Sequence, residues 1–426
     1  MIPTVYPDQA LVNFPIASLN TISGGPYTLT AQPVSLPFLT NLAGTTQYTN
    51  SKTVPANTPV QIEPYAAILG PLNGDYPSST LTNGYTISGN VTLEHQFPGG
   101  IAGQAAYILN NGVDLYNSNY PNAFSGALPQ FTPFDKITPG IGELEMITNN
   151  AHSTYNALQV EARKITPTHG LQFQANYTWA KNLANADAVW SSGGSNGGIV
   201  PNNPLCGSCE RGLSSYSIGQ RFVGNFEYTL PFAHFSSVPR RLTQGWKAMG
   251  IFSAQSGNPF TVVDFVTSEF GSDVVEGISG ARPNLLQKPT YARKQLPGGA
   301  YQFFSNAVIG LAPGVPIGQQ SGIPWGVGTG FFGIPPTAPN SSLTTPGDLA
   351  RNTFVGPAWW NFDTSLIKDT HITERTSVQF RAEFFNVMNH STFGTPNGGL
   401  GGTNFGLSTY TATVERQIQF GLRLTF

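Results

Sequence analysis

Two cysteines stand three apart in Cys206-Gly-Ser-Cys209, the spacing of a redox-active dithiol. Such a motif gains thiol reactivity at a helix N-terminus within a βαβ unit. No βαβ pattern surrounds this one. It sits in a Gly/Ser/Asn-rich stretch just before Glu210-Arg211-Gly212, so a small loop disulfide formed in an oxidising compartment is the expectation. A zinc site would need further ligands at zinc spacing, and none is near. Gly193, Ser195 and Gly197 satisfy G-x-S-x-G, but the hydrolase elbow needs a strand before and a helix after. Here the motif lies in the loop sequence SSGGSNGG. Gly328, Gly330 and Gly333 satisfy G-x-G-x-x-G, again without the strand-loop-helix setting of a phosphate cradle. The six His residues are scattered and fit no metal-binding spacing. No residue is a catalytic candidate, and no cofactor or metal is expected.

The remaining charges are few. Only 10% of the 426 residues are charged, against roughly 25% in an ordinary soluble domain. Aromatics reach 12%, and net charge is only -2, which is not the composition of a disordered chain. With no basic excess to neutralise phosphates, a nucleic-acid partner is disfavoured. No run of about 20 apolar residues is present, so no transmembrane helix is expected. The first residues, MIPTVYPDQALVNFP, have neither a basic n-region nor a continuous apolar h-region, so no signal peptide is read there.

What the charges do have is a common side. Successive side chains of a strand point to opposite faces. In the last segment Ile418, Phe420, Leu422, Leu424 and Phe426 share one face, and Gln417, Gln419, Gly421, Arg423 and Thr425 the other. The same split recurs at 155–164, 170–180, 220–230, 361–368 and 377–385, and more weakly at 245–255. Residues 89–97 and 101–109 form the earliest plausible pair. In the clearer strands Glu161, Arg163, Arg221, Glu227, Arg381, Glu383 and Arg423 all fall on the polar face. The apolar face carries Tyr177, Trp179, Tyr228, Trp246 and Trp360.

The connections alternate in length. Short turns join 89–97 to 101–109, 155–164 to 170–180 and 361–368 to 377–385, with a modest link between 220–230 and 245–255. The others, 110–154, 181–219, 256–359 and 386–415, are long, Gly/Pro/Asn-rich and weakly patterned. Transmembrane β-barrels sort their connections in this way, with short periplasmic turns and long extracellular loops. The expected fold is therefore all-β: an antiparallel transmembrane β-barrel, in part, built from C-terminal strands with long extracellular loops. The charges would line its lumen and the aromatics would form interfacial girdles facing outer-membrane lipid. Ile141 to Ile147 reads as a bent extension of the strand that follows. Nine strands are counted, and an even barrel needs at least one more ascending strand before residue 89. Residues 1–84 are Pro-rich and poorly patterned, read as loop or incomplete barrel strands, and 85–426 form the barrel region.

The ending QFGLRLTF resembles the signal by which the barrel-assembly machinery recognises the last strand of outer-membrane proteins, with Gln419, Gly421, Leu424 and Phe426 at its positions. A wider resemblance runs from about residue 90 to the end. The blocks STYNALQVEARK, GLQFQANYTWAKN, ERGLSSYSIGQRFVGNFEYTLPF, GWKAMGIFSAQSGNPFTV and ERTSVQFRAEFFNVMNHSTFG look like the barrel of Oar-like TonB-dependent transporters, numerous in Acidobacteria. That resemblance implies a Gram-negative outer-membrane location and uptake of a bulky solute energised by TonB. Family members also carry a signal peptide, a carboxypeptidase-regulatory-like domain and a plug. None is recognised here, nor is a TonB box, and the strands are too few for a 22-stranded barrel. The chain is thus expected to be the C-terminal portion of such a protein, with TonB a partner only if a plug and TonB box lie upstream. Two other functions fit less of the pattern. One is a small barrel or surface adhesin binding a partner through its loops; the other is a secreted carbohydrate-binding β-protein.

Overall fold

A computed structural model describes residues 72–119, 141–187, 202, 206–232, 238–264, 282–305, 309–310, 331–333, 347–400 and 404–426. Nine strands make one antiparallel sheet in strict sequence order: β1 (Tyr85–Phe97), β2 (Ile101–Asn119), β3 (Ile141–Thr168), β4 (Leu171–Ala184), β5 (Gln220–Thr229), β6 (Trp246–Gln255), β7 (Trp359–His371), β8 (Ser377–Phe385) and β9 (Gln417–Thr425). All are at least 9 residues long, enough to cross a bilayer, which takes about 9–11 residues when tilted. Among the described residues no helix is long and apolar enough to cross a membrane.

The turns set the handover between strands. His169 and Gly170 form a two-residue hairpin, with Thr168 opposite Leu171 and φ of 56° and 78°. That double positive φ is the geometry that matches strand twist. The other short connections, β1–β2, β5–β6 and β7–β8, lie at the same end of the sheet. The long connections leave from the opposite end, as the sequence pattern requires.

Register fixes the faces. Residues directly opposite in an antiparallel pair share a face. One row runs Gln172, Glu227, Met249, Ser365, Glu383 and Gln419 across six strands. The row on the other face runs Phe173, Phe226, Gly250, Thr364, Phe384 and Ile418. The polar face is concave. Six flat strands would spread over about 24 Å at ~4.8 Å spacing. Side chains from β3 through β8 nevertheless line a single cavity of about 550 Å³, so the sheet curls around it.

Ile141 to Ile147 is continuous with the following strand, and β2 and β3 rise far past their neighbours. The β2–β3 connection is therefore 120–140 rather than 110–154, because the pairing of Asn117 to Asn119 with Met146 to Thr148 holds through two irregularities in register. Residues Leu72–Pro77, read from sequence as loop or incomplete barrel strand, pair parallel to Ile141–Ile147 at the long-loop end. They strap that end and do not add a stave to the wall. Residues 1–71 lie outside the described residues. Among the described residues one edge of β1 and one of β9 are unpaired, and both faces of these strands are open to solvent.

The long connections are not the structureless loops their composition suggested. Pro259–Phe260 pairs with Phe354–Val355, Val263–Asp264 with Gly399–Leu400, Asn284–Leu285 with Phe332–Gly333, and Tyr301–Phe304 with both Tyr291–Gln295 and Leu407–Ser408. These ladders join the β6–β7 and β8–β9 connections into one cap. Its interior is aromatic. Phe260, Phe303, Phe304, Phe332 and Phe354 are essentially sealed from solvent, with Leu400 and Val262 beside them. Phe304 is the hub, with ring centroids 5.0 Å from Phe303, 5.2 Å from Phe354 and 5.7 Å from Phe405. The first two pairs meet edge-on and the third is stacked, and aromatic pairs at such distances add to the burial itself. The protein's dry core thus sits in its loops, while the wall keeps its large apolar side chains exposed.

Candidate functional site

The concave wall and the cap above it are the two places where polar chemistry is concentrated. On the wall, all seven charges singled out from sequence lie on the concave face by register. Arg163 pairs with Glu161 at 3.6 Å, and Gln174 Nε2 donates to Glu161 at 3.3 Å. Arg381 pairs with Glu383 at 3.3 Å, and Gln419 Nε2 donates to the other Glu383 oxygen. Arg221 stands at the long-loop end opposite Thr178 and Gln255, and Arg423 stands opposite Gln379 near the turn end.

Glu227 gains a partner the sequence did not single out. Lys247 Nζ lies 2.9 Å from it across the β5–β6 ladder. Strand β6 was a weak case because Met249 and Ile251 place apolar side chains on the polar face, blurring the alternation. Asp363 is fixed differently. Its Oδ1 accepts from Asn361 Nδ2 at 2.8 Å and from the Asn386 backbone N–H at 2.7 Å. All these wall pairs are partly solvated, and exposed pairs are worth little. Lys247→Gln should therefore change unfolding free energy by less than about 1 kcal/mol in a urea titration of the detergent-folded protein.

Three of the four residues that match the pattern of the assembly signal fall as alternation dictates. Gln419 and Gly421 face the concave side opposite Glu383 and Arg381, while Leu424 faces outward opposite Val378. Phe426 ends the chain almost fully exposed. Outward aromatics form two bands. Tyr177, Trp179 and Trp360 lie toward the long-loop end, Tyr228 and Trp246 toward the turn end.

In the cap, Cys206 and Cys209 are joined in a disulfide across a short 3-10 turn, Gly207–Glu210. That turn presents Glu210 to Arg282. The two meet in a bidentate pair, both contacts 2.8 Å, with side chains about 5% exposed. Asn202 completes the joint: its backbone N–H donates to Glu210 at 3.0 Å and its Oδ1 accepts from the Arg282 N–H at 2.8 Å. A second buried pair, Arg351 with Asp187 at 3.8 Å, lies beside it. Burial pulls the Arg351 guanidinium below its ordinary pKa, and Asp187 and Glu210 oppose that shift. Asn352 Nδ2 donates to Leu213 O at 2.7 Å, and its N–H donates to Thr261 Oγ1 at 2.9 Å. Together these contacts clamp the β4–β5 connection onto the β6–β7 connection.

Of the discounted motifs, Gly193, Ser195, Gly197, Gly328 and Gly330 lie outside the described residues. Phe332 and Gly333, the end of the G-x-G-x-x-G match, form a strand whose phenylalanine is core.

Among solved structures, the chain is similar to the outer membrane transporter YddB from Escherichia coli, with a TM-score of 0.40 and 10% identity over 83% of this chain and 34% of that one. It is also similar to the FrpB iron transporter from Neisseria meningitidis (F3-3 variant), with a TM-score of 0.35 and 8% identity over 83% of this chain and 33% of that one. The chain thus spans about a third of the length of these structures. No curated protein matches it. A family model described as "Outer membrane beta barrel domain" matches residues 12–419, nearly the whole chain, and the protein accordingly belongs to that family, an antiparallel β-barrel protein of the outer membrane.

Proposed function

We propose that the chain is the C-terminal part of the wall and the extracellular cap of an uptake receptor of the TonB-dependent, Oar-like type. It would bind and pass a bulky solute and carry out no catalysis. The observation that carries this reading is the pairing of a concave polar wall with a folded cap at its long-loop end. A wall alone would serve as an open pore, whereas a cap with its own sealed core is built to select what enters. Solute would meet the cap from outside and then the row of amides and ion pairs on the concave face. Energy coupling to TonB would need a plug and a TonB box N-terminal to the wall. The barrel-assembly machinery would act on β9 through Gln419, Gly421, Leu424 and Phe426.

The test is to express the chain behind a bacterial signal peptide, fractionate the cells, and run outer-membrane extracts with and without boiling. Migration that changes on heating would mean that the wall closes alone and would favour a small complete barrel over part of a larger one, whereas aggregation or degradation without insertion would support the part. A soluble periplasmic monomer would overturn the reading in favour of a secreted β-protein. An adhesin without transport would instead insert in the membrane and bind its partner equally well with or without TonB.

A further inference from the structure

We propose that the turn end of the wall carries, on its outer side, a site for the phosphate headgroup of an anionic membrane lipid. Lys368 and the one-turn helix Arg240–Thr243 of the β5–β6 connection build it. The proposal goes beyond the uptake reading and does not depend on what the protein takes up. It starts from a charge on the apolar face. Lys368 lies opposite Trp246 on one side and Phe380 on the other, so it faces outward with them. By the same register no carboxylate stands on the outward face of β4 to β9. Lys368 is nevertheless only 8% exposed. Its Nζ donates to the backbone carbonyls of Gln244 and, at 3.2 Å, Asp369, and it lies 5.8 Å from the centre of the Trp246 ring. The Asp369 side chain turns to the concave face, where its Oδ1 accepts from Gln379 at 2.8 Å. Lys368 is thus a cation withdrawn from water, held by dipoles and a ring, with no carboxylate bound to it. Burial of a charge is costly until a counter-charge arrives, and one of the three ammonium protons is still unused.

The short helix beside it supplies the rest of the site. Gly245 folds this segment back against β7, with φ of 77°, and its carbonyl accepts from the Asp369 N–H at 2.9 Å. Trp246 Nε1 donates to Leu242 O at 2.7 Å, which holds the helix on the outward side of the turn end. Arg240 and Arg241 open the helix, both exposed and neither in an ion pair among the described residues. Arginine forks match the oxygens of a phosphate. Val238 and Leu242 flank the two arginines, 40% and 62% exposed. Cations interleaved with exposed apolar side chains, beside a tryptophan at the end of a spanning strand, suit a segment lying in the headgroup layer. A free phosphate ion would leave Val238 and Leu242 in water, whereas a lipid covers them with its acyl chains. The occupant is therefore a lipid of the leaflet that meets the short turns.

The test is native mass spectrometry of the full chain, folded in a non-ionic detergent and titrated with dioleoylphosphatidylglycerol or dioleoylphosphatidylethanolamine. We expect phosphatidylglycerol to be held about tenfold more tightly than phosphatidylethanolamine, and less tightly as salt is raised. A cation close to an anionic lipid surface is worth about fivefold in affinity. Arg240→Gln/Arg241→Gln should therefore weaken phosphatidylglycerol about 25-fold and Lys368→Met about fivefold. Lys181, outward-facing at the long-loop end opposite Asn156, is the control, and Lys181→Gln should change nothing. The double arginine variant alters only exposed side chains, so an unchanged urea midpoint for it ties the loss to the site rather than to folding. Equal retention of the two lipids, indifference to the double arginine substitution, or an equal loss in Lys181→Gln would overturn the proposal. Displacement of phosphatidylglycerol by millimolar inorganic phosphate would overturn it in favour of a site for the free ion.

Discussion

Arg282→Ala is expected to open the extracellular cap while leaving the wall intact. The substitution leaves Glu210 as a buried carboxylate without its cation. It also removes two charge-assisted contacts of 2.8 Å. Breaking one partner of a buried pair costs about 3–5 kcal/mol, because the remaining charge has lost its water and gained nothing in return. The Asn202 joint would not compensate, since its N–H already donates to Glu210. Hydrogen exchange should show residues 206–213 and 347–355 losing protection while β5, β6 and β8 keep theirs. The double variant Arg282→Met/Glu210→Leu should recover much of the loss, because it buries no unpaired charge. Unchanged exchange in Arg282→Ala would mean that the aromatic core alone holds the cap.

The second large effect lies one residue away from a position expected to be nearly silent. Phe380 faces outward, stacked on Phe420 with rings 15° apart, while Gln379 faces the concave side and donates to Asp369 at 2.8 Å. Arginine facing lipid at mid-depth costs about 2–4 kcal/mol. Phe380→Arg should therefore lower stability by that amount in a urea titration in lipid vesicles, with loss of the folded band on unheated gels. Gln379→Arg enters the polar face beside Asp369 and should change stability by less than about 1 kcal/mol. Equal effects at the two positions would mean that the outward face does not meet lipid.

The wall was legible in the sequence for a local reason. In β5, β8 and β9 the side-chain period of two is nearly unbroken, and a short turn after a strand places the next one beside it. Even the extension at Ile141 to Ile147 was readable, because it abuts a strand. Strand β6 was harder, since Met249 and Ile251 interrupt the polar face, and with it Lys247 went unnoticed as the partner of Glu227. Of the cap, only the local Cys206–Cys209 disulfide was legible. Its core draws Phe260, Phe303, Phe304, Phe332, Phe354 and Leu400 from segments far apart in the chain, separated by Gly and Pro. Contacts of that kind have no period. The Arg282–Glu210 pair joins residues 72 apart, and nothing near either residue announces the other. The strap at Leu72–Pro77 escaped notice because parallel pairing with β3 is set by the cap end of the molecule and not by any neighbour in sequence.

The neck between wall and cap has a consequence of its own. The β6–β7 ladder ends at Gln255 opposite Trp359, and the chain resumes pairing at Pro259 opposite Val355 and Phe260 opposite Phe354. Between them Gly356 N–H donates to Asn258 O at 3.0 Å, and a Cβ on Gly257 would lie 2.1 Å from Gly356 O. The long excursion therefore leaves and re-enters through a single pinched doorway only two strands wide. Residues 261–353 are thus an insert with touching ends as far as the wall is concerned, so a change of their length need not strain the β6–β7 pairing, although their own packing is shared with the β8–β9 connection. The β6–β7 pairing is complete below that doorway, so the register of these two staves does not depend on how many residues lie beyond it.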